Sequence, residues 1–158
     1  MAENRIDSSD ALEIIAFMLG EQQFCVRTTS IREIRGWAPV TPLPHTPPDV
    51  LGVMNLRGSV IPIIDLSIKL GMTAAIASER SAIVVTSVNG TTVGLMVDRV
   101  SDILTVSQSE LQPVPVAVGS SAGDYAEGIL AYDKQMICFL NLEAIFAQVR
   151  PSDWSEAA

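Results

Sequence analysis

Few side chains in this chain are capable of chemistry, and their spacing keeps them apart. A serine hydrolase needs a histidine held by packing beside its nucleophile. The single histidine, His45, lies among Pro42, Pro44, Pro47 and Pro48, and no G-x-S-x-G frames Ser120 or Ser121. His45 therefore reads as an ordinary loop residue, and a small serine hydrolase is the least favoured of the functional readings. Cys25 in "FCV" and Cys138 in "ICF" stand inside apolar runs, which predicts inert buried thiols and not a zinc site. Asp98 and Asp102, four positions apart, lie too far apart along a strand for a catalytic dyad and are expected to be solvated. The glycines of "VGSSAGDYAEG" neither follow a strand nor open a helix as a phosphate loop would. No catalytic residue, metal or cofactor is expected.

What remains is Arg57, in the tetrapeptide Leu56-Arg57-Gly58-Ser59 that joins two apolar runs. Gly58 suits a turn that needs positive φ. An arginine there offers a planar fork of donors, suited to an internal carboxylate or to a partner. Glu33 is the single acid in a stretch that also holds Arg27, Arg32 and Arg35, so two roles stay open. Arg57 is either a clamp on Glu33 that fixes how two halves of the fold meet, barrel against barrel, or a direct partner contact. Trp37, close to Pro39, is either an exposed anchor or a cap over a core.

The elements that must position these residues read as strands. With 48% apolar residues among 158 and a mean hydropathy of +0.34, the chain can bury a real core. "EIIAFML" and "QFCV" flank "GEQ", and "SAIVVTSV" and "TTVGLMV" flank Asn89-Gly90; both are hairpin signals. "VTPLPHTPPD" is an extended connector. A helical turn is expected near "SIREI", where Ser30 and Glu33 have capping-box spacing, and a short helix in "NLEAIFAQV". Residues 1–11 and 150–158 are expected to fray. No window reaches the roughly 18 apolar residues a spanning helix needs, and the polar N-terminus carries no signal peptide, so a soluble intracellular protein without membrane insertion is expected. The net charge of −8 argues against nucleic acid.

The chain also repeats itself. Gly52–Leu66 lies without a gap over Gly128–Leu142, with glycine first, Ile61 on Ile137, Asp65 on Asn141 and Leu66 on Leu142. Upstream, "SIREI" resembles "RVSDI", each preceded by a hairpin. The place of Leu56-Arg57-Gly58-Ser59 is taken in the second copy by Tyr132-Asp133-Lys134-Gln135, so turn chemistry alone does not call for the arginine. Each copy reads as a unit of roughly five strands that must close to remove its edges, which predicts an all-β fold of two packed small barrels. Their expected limits are about 20–75 and about 80–142.

"NLRGSVIPIIDL", with "SIREIRGW" upstream, "GLMVDRVSDIL" in the middle and "YAEGIL" downstream, resembles the CheW-type coupling proteins of bacterial chemotaxis over residues 12–149. The resemblance implies two five-stranded SH3-like β-barrels, with short peripheral helices, and a non-catalytic adaptor. Its implied partners are the cytoplasmic tip of a chemoreceptor, the regulatory domain of a CheA-type histidine kinase and other CheW-like domains. The implied location is the cytoplasm, at the inner face of the membrane through receptor arrays. By motif, Asn55, Leu56, Arg57 and Gly58, with Ile31 and Glu33 beside them, fall at the coupling site. Arg27 departs from the pattern, standing where an apolar or small residue is expected. A regulatory domain cut from a larger chemotaxis kinase is the alternative within the same family.

Overall fold

The computed structural model describes residues 11–72, 78, 80–88, 90–113, 125–132 and 134–147. The expectations for the two termini, for Ser120 and Ser121 and for most of the "VGSSAGDY" loop lie outside these residues, save that Ala11 already belongs to the first strand. That strand, β1 (Ala11–Leu19), turns at Gly20 into β2 (Gln22–Arg27). Leu12, Ile14 and Ala16 point into one apolar cluster and Ile15, Phe17 and Leu19 into another. Burial on both faces explains why the run reads as continuous apolar residues and not as an alternation.

The chain continues through a 3-10 turn at Thr28–Ser30 into β3 (Ile31–Gly36), then β4 (Val50–Leu56), β5 (Ser59–Asp65) and helix α1 (Leu66–Lys69). The helical turn expected near "SIREI" is not formed. Residues Ile31–Gly36 pair with a neighbouring strand instead, and the ladder overrides a local capping signal. A second series follows: β6 (Ala82–Val88), β7 (Thr91–Val97), β8 (Arg99–Ser107), β9 (Leu111–Gln112), β10 (Ala126–Tyr132), β11 (Gln135–Leu140) and helix α2 (Leu142–Phe146). The short C-terminal helix is where the sequence placed it. Asp65 caps α1 by accepting from Ser67 N–H at 3.0 Å. Asn141, its counterpart in the repeat, caps α2 by accepting from Ala144 N–H at 3.2 Å.

The strands form a six-stranded sheet, β8-β1-β2-β11-β10-β9, and a five-stranded sheet, β3-β6-β7-β5-β4. Each takes its leading hairpin from one copy of the repeat and its remaining strands from the other. The exchange keeps register: β3 meets β6 at Ile31↔Thr86, skips Arg32, and resumes at Glu33↔Val85. Correspondingly, β8 meets β1 at Val100↔Phe17, skips Ser101, and resumes at Asp102↔Ala16. The parallel pairs agree as well, Ile63↔Gly94 in one sheet and Phe139↔Cys25 in the other. The duplication is thus visible in backbone pairing, but the sheets do not divide the chain into consecutive stretches of about 20–75 and 80–142. The five-stranded sheet lies within residues 31–97, and the six-stranded sheet joins residues 11–27 to residues 99–140.

Both sheets close. The edge strand β3 runs on to Thr41, which exchanges hydrogen bonds with Val53 of β4, the opposite edge. In the other sheet the 3-10 turn Gln108–Glu110 leads from β8 to β9, which pairs with β10. Closure removes the open edges that invite aggregation. Three apolar clusters result: one inside each barrel and one between them, where Phe17, Phe24, Val84, Leu95, Leu140 and Ile145 meet. Each such residue contributes roughly 1.5–3 kcal/mol by leaving water, so the layer between the barrels is a main source of stability.

Candidate functional site

The β4–β5 hairpin positions the arginine. Leu56 pairs with Ser59, leaving Arg57 and Gly58 as the two turn residues, with φ of 53° and 90°. Positive φ at both positions is what a two-residue hairpin requires to match strand twist. The Asn55 carboxamide oxygen accepts from Gly58 N–H at 3.0 Å and steadies the turn. In the second copy Lys134, at the place of Gly58, likewise has positive φ, 64°, in the turn between Tyr132 and Gln135.

At the hairpin tip the Arg57 side chain is 77% exposed, and its Nη1 lies 3.0 Å from Glu33 Oε2. Glu33, on β3, is 19% exposed and also meets Arg35 Nη1 at 3.4 Å through Oε1. The clamp is therefore formed. It does not fix how the barrels meet, because both partners belong to the five-stranded sheet and link its two edges. An ion pair this exposed is worth about 0–1 kcal/mol.

Beneath the pair lies a groove of about 700 Å³ whose walls include Ile31, Glu33, Leu56, Arg57, Ile61 and Thr92. Four of the six residues singled out from sequence, Ile31, Glu33, Leu56 and Arg57, thus face one groove. Gly58 acts through the turn. Asn55 faces a second hollow of about 420 Å³ on the other side of the hairpin, together with Arg35, Pro39, Met54 and Val60. Between the barrels, Arg27 of β2 pairs with Glu127 of β10 at 3.1 Å and lies 5.0 Å over the Phe139 ring. Arg27 is therefore anchored at a smaller groove of about 330 Å³ that also takes in Ser87 and Val88 of the five-stranded barrel.

Several surface residues were missed from sequence. Ile34, Val60, Ile103 and Met136 are large apolar side chains left exposed. The repeat could have found them, since Val60 aligns with Met136 and Ile34 with Ile103. Each barrel thus exposes large apolar side chains at equivalent positions. Trp37 is partly buried against the core of the five-stranded barrel, as a cap. Asp98 differs from expectation: its Oδ2 accepts from Gly20 N–H at 2.5 Å, and its Oδ1 is buried with no partner among the described residues. It braces the β1–β2 turn and is not freely solvated. Both cysteines are free, Cys25 buried and Cys138 half-buried. Burial pushes the Cys25 thiol far above its ordinary pKa, with smaller contributions from Cys138 and Glu127, and burial raises Cys138 too. Among the described residues no group of three His, Cys, Asp or Glu side chains could hold a metal ion, and no described helix is long and apolar enough to cross a membrane.

Fold and site together define a two-barrel interaction module, with a charged groove rimmed by an exposed arginine and exposed apolar side chains at equivalent places on each barrel. The family model for the CheW-like domain matches residues 13–150, and the chain belongs to that family. It is 50% identical to the chemotaxis protein CheW of Rhizobium meliloti over 146 residues, 92% of each chain. It is 27% identical to chemotaxis protein CheW of Bacillus subtilis, covering 84% of this chain and 85% of that one. The solved structure of the scaffolding protein TtCheW from Thermoanaerobacter tengcongensis superposes with a TM-score of 0.80 at 29% identity, covering 85% of this chain and 92% of that one. The protein is a chemotaxis scaffold of the coupling type.

Proposed function

We propose that this scaffold works without catalysis, holding the cytoplasmic tip of transmembrane chemoreceptors and the regulatory domain of a CheA-type histidine kinase in one complex. Receptor attachment recruits it from the cytoplasm to the inner face of the membrane. The observation that carries the proposal is the exposed Arg57 on the rim of a mainly polar groove that also presents Ile31, Leu56 and Ile61, at a turn whose repeat counterpart does without an arginine. A receptor tip is a helical hairpin, and helix-in-groove recognition asks for apolar contacts plus an oriented charge that sets register. Asn55 and Gly58 hold the turn, Leu56 and Ile31 furnish apolar contact, and Glu33 orients Arg57.

The kinase regulatory domain, built on the same pattern, is met through the exposed apolar side chains of each barrel. Ile34 with Val60, and Ile103 with Met136, are equivalent under the duplication. One surface type therefore appears on both barrels, as docking against another CheW-like domain requires. Charge gives the contact a direction. Residues 28–97, which contain the five-stranded sheet, hold five basic and four acidic residues, whereas the rest of the chain holds five basic and fourteen acidic. Unlike potentials at the two ends favour one orientation of partners over the other.

The test is Arg57→Ala with a receptor-tip fragment and the kinase regulatory domain, measuring affinity beside a melting curve. Truncating an anchor of this kind is expected to weaken the receptor complex on the order of 2 kcal/mol, roughly thirtyfold. The fold should stay cooperative, with less than about 1 kcal/mol lost. Wild-type affinity in a folded Arg57→Ala protein sinks the assignment.

A further inference from the structure

The groove beneath the hairpin tip does not stop at its own barrel. Ser30 and Ser87 line both it and the smaller groove between the barrels, so the two form one continuous track. Apolar side chains line each stretch, Ile31, Leu56 and Ile61 in the first and Val88, Leu140 and Leu142 in the second. The charges differ. Arg32, Glu33 and Arg57 line the first stretch, where Glu33 is paired to Arg57 and Arg35 beside it adds to the positive sign. Arg27, Glu127 and Glu143 line the second, where Arg27 is paired to Glu127. One charge is left over in each, positive Arg32 and negative Glu143. Both are exposed, and neither carries an ion pair among the described residues.

The backbone requires neither of these charges. Arg32 is the residue that β3 skips in pairing with β6, and at the same irregularity the second copy has Ser101. A bulge re-aims its side chain, and this one lines the groove. Glu143 follows Leu142 in the first turn of α2, where an acid suits the peptide dipoles. Its counterpart in the repeat is the buried Ser67, and α1 forms without an acid in its first turn. We infer that Arg32 and Glu143 are specificity-determining residues that fix the direction in which a receptor-tip hairpin lies along the track, Arg32 meeting a carboxylate on the hairpin and Glu143 a lysine or arginine. The inference rests on the reading of the groove as the receptor-tip site. Apolar contacts alone would leave the two directions nearly alike, because apolar side chains line both stretches. Turned end for end, the hairpin would set carboxylate against Glu143 and cation against Arg32, and like charges in contact exclude that arrangement.

The experiment uses the full chain and a soluble receptor-tip hairpin as probe, with a melting curve for each variant. Arg32→Gln and Glu143→Gln should each weaken binding about threefold, the scale of an exposed ion pair. The reversals Arg32→Glu and Glu143→Lys should each weaken it about tenfold, since repulsion replaces attraction. Direction is read by NMR. A nitroxide on the turn of the hairpin should broaden one of the amide signals of Ser59, in the first stretch, and Leu142, in the second, far more than the other. In the double variant Arg32→Glu with Glu143→Lys the preference should pass to the other amide, an outcome that a merely structural role for these residues does not produce. Equal broadening in the wild-type complex overturns the inference. So does an unchanged preference in the double variant, and so does wild-type affinity in both single reversals. If Arg57→Ala itself binds like wild type, the groove reading has failed, which separates that failure from failure of the direction.

Discussion

The two hairpin tips, Leu56 to Ser59 and Tyr132 to Gln135, occupy equivalent places in the repeat and share their strand pairing. Gly58 and its counterpart Lys134 each adopt positive φ, and each hairpin is followed by a capped helix of one turn or slightly more. Yet one tip carries an arginine paired to Glu33, and at the place of Glu33 the second copy has the exposed Asp102. Barrel interiors diverge in the same manner. Cys25 fills the position in one barrel that Gly94 holds in the other, where a Cβ would stand 2.6 Å from Ile63 Cδ1 and 2.8 Å from Ile83 Cγ2. What the backbone requires is present in both copies; the arginine and its carboxylate partner are present in one.

The largest effect should come from the shared backbone. Gly52 has φ 151°, and a Cβ there would meet the Thr41 carbonyl oxygen, across the bridge that closes the five-stranded barrel. Gly52→Ala is expected to lose on the order of 3–4 kcal/mol in denaturant unfolding. A Cβ on its counterpart Gly128 would stand 2.5 Å from the Gln112 carbonyl oxygen, without the unusual φ, so Gly128→Ala should cost about 2–3 kcal/mol. Equal losses would remove the backbone distinction between the barrels.

Partner binding should separate the copies next. Against the roughly thirtyfold loss expected for Arg57→Ala, Lys134→Ala should leave receptor-tip affinity within about twofold. A comparable loss at Lys134 would mean that both tips are read.

Thiol titration compares the two cysteines. Both have native pKa values raised above 9.0 by burial. Below that value both states keep their protons and the native state loses nothing. Above it the unfolded chain releases protons that the native chain retains, so stability falls with rising pH, by up to about 1.4 kcal/mol per pH unit for each thiol. Cys25→Ala should flatten the decline more than Cys138→Ala, because Cys25 is the more deeply buried. Unfolding curves from pH 8 to 10.5 measure it, and the reverse order would contradict the burial assigned to these strands. The smallest effect belongs to Asn55→Ala, which removes one exposed hydrogen bond to Gly58 N–H and should cost about 0.5–1 kcal/mol.

Much of this was legible in the sequence. The hairpins at "GEQ" and Asn89-Gly90 follow from turn residues between apolar runs, and β6 indeed turns into β7 around Gly90. The "NLRG" tip is local, so the residues nearby suffice to specify it, whereas the repeat only aligned Asp65 with Asn141 and left their capping roles to the structure. The misreadings were of another kind. Ser30 and Glu33 fit a capping box, but Ile31 and Glu33 pair with Thr86 and Val85, far along the chain, and no local signal reports such a partner. Asp98 looked solvated because Gly20, whose N–H it receives, is distant in sequence.

By itself the sequence determined the hairpin strands and their turns, the repeat and the family to which the motifs belong, because each depends on residue type and short spacing. Only the tertiary structure decided which copy completes which barrel. A continuous apolar run shows that both faces of a strand are buried, and equivalent strands of a duplicated chain offer the same register to either partner. The choice falls to the layer between the barrels, where the exchanged strands bury Phe17, Phe24, Val84 and Leu95 together. That same folding brings Glu33 on one sheet edge under Arg57 on the other, and so turns a leftover arginine into the rim of a groove.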